Sequence, residues 1–184
     1  METERSTEPI RLTTPIGEKD IAALKVGDLI EVQGRIYCGR DAVLPKLADM
    51  FEAGALHQLG LTLEGSLIFH TAVSPAGIGP TTSNKLEIEQ SIPALSRAGV
   101  KIHLGKGSLG AETAAALKRY NSIFAVTPPL TALFSRNILS KRVAAFPEEG
   151  MEAFFELEVT ALPAIVAIAH GENLFESLKT GRAA

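Results

Sequence analysis

Residues 100–126 read VKIHLGKGSLGAETAAALKRYNSIFAV, and this stretch decides the fold class. Val100–Leu104 reads as a strand that ends in Gly105-Lys106-Gly107. The alanine-rich segment Leu109–Arg119 suits a helix, and Ser122–Val126 reads as the next strand. Strand, helix and strand in succession point to an α/β domain.

The same alternation extends outward. Ser66–Ala72 reads as a buried strand running into a Gly/Pro-rich loop, Ser74–Ser83. A helix follows to Ala98 and stops at Gly99. On the other side, Pro128–Leu139 reads as a helix. The flanks are richer in β structure. Asp28–Gln33 alternates as a strand, Gly34 punctuates it, and Arg35–Cys38 reads as a second strand. Asp41 to about Leu59 carries apolar residues at helical spacing, with Pro45 in the first turn. Lys141–Phe146, Phe154–Val159 and Ala164–Ala169 read as strands, separated by Pro147–Gly150 and Leu162–Pro163. Residues 1–15 form a polar lead-in, and residues 16–184 a single domain. The expectation is an α/β fold with a mixed central sheet flanked by helices.

Composition narrows the function. The 184 residues are 46% apolar and 21% charged, with a net charge of −3, so nothing suggests a nucleic-acid surface. No apolar stretch reaches the roughly 18–20 residues of a membrane span. Met1–Pro9 is polar and acidic, unlike a secretion signal, which points to the cytoplasm. Cys38 is the sole cysteine. It excludes an internal disulfide, and an iron–sulfur cluster held by this chain would need about three or four thiolates. His57, His70, His103 and His170 lack metal-binding spacing. Any metal chemistry would draw its metal from another chain.

Three segments carry chemistry. In Tyr37-Cys-Gly-Arg-Asp41, Arg40 follows a strand and precedes a helix, where its planar fork suits a carboxylate. Asp41 can cap that helix, and a surface arginine beside a capping aspartate is the plainer reading. Ser74–Lys85 joins two glycines to Thr81, Thr82, Ser83 and Lys85, a set suited to a small polyanion or to helix capping. Gly105-Lys106-Gly107 presents a movable point charge at a strand end, and fails the P-loop pattern. Ligands in open α/β sheets sit beyond the carboxyl ends of strands. Parallel neighbours would bring Arg40, Thr81, Thr82, Lys85 and Lys106 to one cleft. Cys38, beside Gly39-Arg40, reads either as a reactive thiol or as a buried structural cysteine.

Leu24-Lys-Val-Gly-Asp28, Arg40-Asp-Ala42, Gly79-Pro-Thr-Thr82, Gly105-Lys-Gly107 and Gly150-Met-Glu-Ala153 occur in this order. In order and spacing they resemble the β subunit, or C-terminal domain, of class I fumarate hydratases and L-tartrate dehydratases. The resemblance implies a swivelling β/β/α domain. It implies a partner α subunit bearing a 4Fe–4S cluster with one iron open to substrate, in a hetero-oligomer such as α2β2. It further implies reversible dehydration of a 2-hydroxy dicarboxylate. By position, Arg40, Thr82, Lys85 and Lys106 would bind substrate. Thr81 would be the base, with Lys106 stabilising its alkoxide. Leu44 stands where the family has histidine, and Lys85 where it has arginine. The rival readings are a non-catalytic anion-binding or regulatory module and a stand-alone enzyme using Cys38.

Overall fold

In the computed structural model, which describes residues 8–75, 77–81, 85–127 and 136–179, one long strand organises the chain. This is β2 (Leu29–Cys38), a continuous element where the sequence suggested two strands. Gly34 bends it without breaking it. The ladder shifts register between Val32 and Gly34, the mark of a β-bulge. Gly34 has φ +99°, and a Cβ there would lie 2.5 Å from Thr14 Oγ1. Glycine alone accommodates both the backbone and the close approach. Within the expected lead-in, β1 (Ile10–Thr13) pairs in parallel with β2.

From β2 the sheet runs in parallel through β3 (Leu67–Phe69), β6 (Ile102–Gly105) and β7 (Ile123–Val126). The returning strand, β9 (Phe154–Ala169), is antiparallel to both β7 and β2. The ring β2-β3-β6-β7-β9 therefore closes into a five-stranded barrel. The sheet is mixed, as expected, and it closes on itself. The apparent break at Leu162–Pro163 misled, because β9 passes through it. Phe155–Val159 lies between β2 and β8 (Ile138–Ala145), Ile165 pairs with both β2 and β7, and Val166 and Ile168 pair with β7. In between, Leu162–Ala164 has β2 alone as neighbour, so Pro163 removes no donor from a second ladder. Ala161, at φ +52°, turns the strand there.

Alternation sorts the two faces of the wall. Cys38, Phe69, Leu104, Ala125 and Val166 form one cross-strand row inside the barrel. The neighbouring row, Tyr37, Ile68, His103, Phe124 and Ile168, faces outward. Helices α2 (Leu44–Glu52), α3 (Lys85–Arg97) and α4 (Ala111–Arg119) cover that row. Leu44, Leu47 and Leu95 pack on Tyr37 and Ile68, and Ile88, Ile92 and Leu117 on Phe124 and Ile168. α1 (Glu18–Ala23) buries Ile21 in the interior cluster, and β10 (Glu172–Asn173) pairs with β9 and leads into α5 (Leu174–Lys179).

Three local expectations change. The helix expected over Asp41–Leu59 is α2 followed by a 3₁₀ turn at Leu56–Leu59. Its N-cap is Val43, with no side-chain cap bond, so Asp41 is not the cap. The expected loop Ser74–Ser83 contains a strand: β4 (Thr71–Ser74) and β5 (Gly77–Thr81) pair as a hairpin. Of the helix expected over Pro128–Leu139, residues 128–135 lie outside the described residues, while Ile138 and Leu139 belong to β8.

The bulge predicts a measurable cost. Gly34→Ala should lower unfolding free energy by about 1–3 kcal/mol in urea titrations, through left-handed strain and the Thr14 clash. A change below about 0.5 kcal/mol, the range of neutral surface substitutions, would show that the bulge does not need glycine.

Candidate functional site

Because β2, β3, β6 and β7 are parallel, their carboxyl ends share one mouth of the barrel. Register fixes the level. Gly39 N–H donates to Phe69 O at 3.1 Å, and His70 N–H to Leu104 O at 2.8 Å. One residue further on stand Arg40, Thr71 and Lys106. Across the hairpin, Thr71 pairs with Thr81, and Lys85 begins α3. The segments carrying Arg40, Thr81 and Lys106 thus meet at one end. Thr82 lies outside the described residues.

The hairpin closes this mouth. Val73 and Ile78 are buried in the same cluster as the barrel interior. Thr71 Oγ1 donates to Gly79 O at 2.7 Å, fixing the arm that ends at Thr81. From β8, Lys141 Nζ donates to Ser74 O at 2.7 Å and Pro75 O at 3.0 Å. Beyond β6, Lys106 is exposed. Glu89 of α3 accepts the Gly110 N–H, which ties the segment after Lys106 to that helix.

Arg40 is three-quarters buried between carboxylates. Its Nε stands 3.5 Å from Asp41 Oδ1 and 3.6 Å from Glu152 Oε1. This Nε makes no hydrogen bond, although it is buried. Both ion pairs make their closest approach at Nε, which orients the guanidinium by one edge. Glu152 belongs to the Gly150-Met-Glu-Ala153 motif, on the 3₁₀ segment Pro147–Glu152. Lys46 of α2 holds that segment through Glu148 and Glu149. Gly39 leaves tight space beneath Arg40: a Cβ there would meet the side chains of Val43, Leu44 and Phe154, each at 3.0 Å, so those neighbours would have to shift slightly. Leu44 is buried with Tyr37 and Phe154.

Cys38 points into the barrel, and burial pushes its thiol well above the ordinary range. That favours the structural reading over the reactive one. The fit to an iron–sulfur cluster fails for the same reason. The one thiol is sealed in the core, and among the described residues no group of three His, Cys, Asp or Glu could hold a metal. No helix among the described residues is long and apolar enough to cross a membrane.

Sequence reading left one constellation unnoticed. His103 Nδ1 lies 3.2 Å from His70 Nε2, and His103 Nε2 lies 3.0 Å from Ser96 Oγ on α3. All three residues are buried, and His70 Nδ1 has no partner among the described residues. Desolvation holds His70 at about 4 and His103 also well below its usual value, the latter helped by His70. The sequence carries little signal for it: along the strand His103 shares its face with Lys101 and Gly105, and its apolar neighbours, Ile68 and Phe124, come from other strands.

A closed mixed barrel, helices on its outer face and a polar, cation-bearing mouth define the class: an α/β domain built on a closed mixed barrel, with a candidate site at the strand carboxyl ends. The match to the family described as fumarase C-terminus spans residues 1–178, and the chain belongs to that family. It is 30% identical to a candidate L(+)-tartrate dehydratase β subunit of Methanocaldococcus jannaschii, over 88% of each chain. It is 28% identical to the L(+)-tartrate dehydratase β subunit of Escherichia coli K12, over 91% of this chain and 87% of that one. A candidate class I fumarate hydratase of Geobacillus stearothermophilus is 29% identical over 96% of this chain, which spans only 35% of that protein.

The buried imidazoles predict an acid response. Unfolded imidazoles titrate near 6.5, as an approximate reference, whereas His70 titrates at about 4 in the fold. Between those values the unfolded chain binds protons that the folded chain refuses. Stability is therefore full above about pH 6.5 and falls as the pH drops toward 4, by about 3 kcal/mol for His70 alone. Urea midpoints followed over this window should show the fall, and His70→Leu should flatten it. Equal slopes for both proteins would contradict the assignment.

Proposed function

We propose that this chain is the cluster-free β subunit of a two-subunit hydro-lyase that reversibly dehydrates a 2-hydroxy dicarboxylate. Malate to fumarate is the first substrate pair to test, and L-tartrate to oxaloacetate the second. The observation that carries this reading is the common mouth of β2, β3 and β6, joined to family membership. Coverage supports the partner. Relatives named as β subunits match along 87% or more of their length, whereas the fumarate hydratase has most of its chain outside the match. The missing portion is the expected α subunit, which would hold the 4Fe–4S cluster and activate the leaving hydroxyl.

On this reading the present chain supplies charge and a base. Arg40, oriented through Nε by Asp41 and Glu152, offers its terminal nitrogens to one substrate carboxylate. Lys106 and Lys85 hold carboxylate charge, and Thr82 adds a hydroxyl. Thr81 removes the proton next to the far carboxylate, with Lys106 stabilising the alkoxide. Lys85 cannot make the bidentate grip of an arginine, so the diacid is held more loosely at that corner. Leu44 contributes packing where the family has an imidazole. The domain swivels as a unit against its partner in a cytoplasmic α2β2 assembly.

In the enzyme assembled with its partner, Thr81→Ala should lower kcat roughly 100-fold or more while leaving the melting temperature unchanged. Lys106→Ala should raise KM for the diacid about tenfold or more, as loss of a charged hydrogen bond. An anion-binding module without chemistry shares the cations but has no need of Thr81. Diacid binding that survives Thr81→Ala in a complex with no turnover would favour that module.

A further inference from the structure

We propose that Ser96, His103 and His70 form a one-directional hydrogen-bond chain that positions the mouth of the barrel, with His103 as its central positioning residue. The inference rests on the mouth being the ligand site. Each member sits on a segment that leads to a candidate site residue. His70 joins β3 to the hairpin that ends at Thr81. His103 lies on β6, three residues before Lys106. Ser96 lies on α3, which starts at Lys85. The chain links these segments in a layer where the cross-strand neighbours of His103 are apolar.

The surroundings show why packing alone does not explain it. In the outward row His103 stands between Ile68 and Phe124, and α3 offers Ile92 and Leu95 above the same wall. Apolar residues in place of all three would continue the row, and replacing every partner of a buried hydrogen-bonded set by well-packed apolar groups is often nearly neutral for stability. What an apolar residue lacks is direction. Two hydrogen bonds fix the rotation of each segment against the others.

The proton order follows from the free end. Both imidazoles are neutral, so each ring has one donor and one acceptor nitrogen. A buried N–H without a partner is rarer than an under-used acceptor. His70 Nδ1, which has no partner among the described residues, is therefore the acceptor. His70 Nε2–H then donates to His103 Nδ1, and His103 Nε2–H donates to Ser96 Oγ. Both rings carry the proton on Nε2, and the chain runs from the mouth toward the far end of α3. Gly105 lets the strands close here, since a Cβ would lie 3.3 Å from the Phe124 ring and 3.8 Å from His70 Cβ.

The test compares His103→Leu, His103→Gln and wild type. ¹⁵N spectra of the full chain should show both rings protonated at Nε2. Hydrogen exchange in His103→Leu should accelerate about tenfold or more at residues 71–75, 77–79 and 105–107, beyond the smaller, uniform acceleration that its lower stability brings to the rest of the barrel. In the assembled enzyme the same variant should lose about tenfold or more in kcat with a smaller change in KM, and His103→Gln should recover part of it. Parallel loss of melting temperature and exchange protection across the whole barrel would make the chain merely structural and overturn the proposal. So would unchanged exchange and turnover, or an Nδ1–H proton on His70. Should His103→Leu fail to fold, Ser96→Ala removes the last link and carries the same outcomes. An inactive wild-type assembly would sink the hydro-lyase reading, while the exchange comparison would still decide the positioning role.

Discussion

The structure depends on β9 pairing with β2 on one side and β7 on the other. A parallel run of four strands has two open edges, and each edge leaves unpaired backbone groups. β9 occupies both edges at once, which joins them and seals the interior rows. Closure also forces a bend, taken up at Ala161 and tolerated at Pro163 because β2 is the sole neighbour there. Without this strand there would be no barrel, and so no mouth at which distant segments could meet.

Closure has a functional consequence. In a closed parallel wall, strand carboxyl ends form a ring, so short loops suffice to gather charges from distant parts of the sequence. The hairpin Thr71–Thr81 then plugs the ring with Val73 and Ile78, held at its tip by Lys141. Arg40 is aimed by two carboxylates and Lys106 stands exposed between glycines. The division of labour follows from what the chain lacks. Its one thiol is an interior packing group, and in the proposed reading the chain would therefore contribute charge, hydroxyls and shape while the metal chemistry falls to the partner.

Much of the fold is legible in the residues themselves. The strand–helix alternation of residues 66–126 identifies the parallel core, and short motifs identify the family. The strand ends carrying Arg40 and Lys106 stand out because a glycine and a cation directly after an apolar run mark the point where a buried strand emerges. Closure is not legible, since Pro163 resembles a strand terminator until its second neighbour is known to be absent. The hairpin escapes because Gly77–Thr81 has turn composition and becomes a strand only by pairing with β4. Glu152 is visible as part of a motif, but its pairing with Arg40 joins distant parts of the sequence and depends on the 3₁₀ segment after β8. The histidine chain is tertiary altogether, because Ser96, His103 and His70 become neighbours only when α3 settles on the wall.

The central claim is that this chain is half of an active site. The direct measurement is hydratase turnover with malate, fumarate and L-tartrate, made on the chain alone and again after anaerobic mixing with a cluster-bearing partner subunit. The account predicts no turnover by the chain alone and turnover with one of these diacids on mixing. Turnover by the isolated chain, or none in a mixture whose cluster is intact, would contradict it.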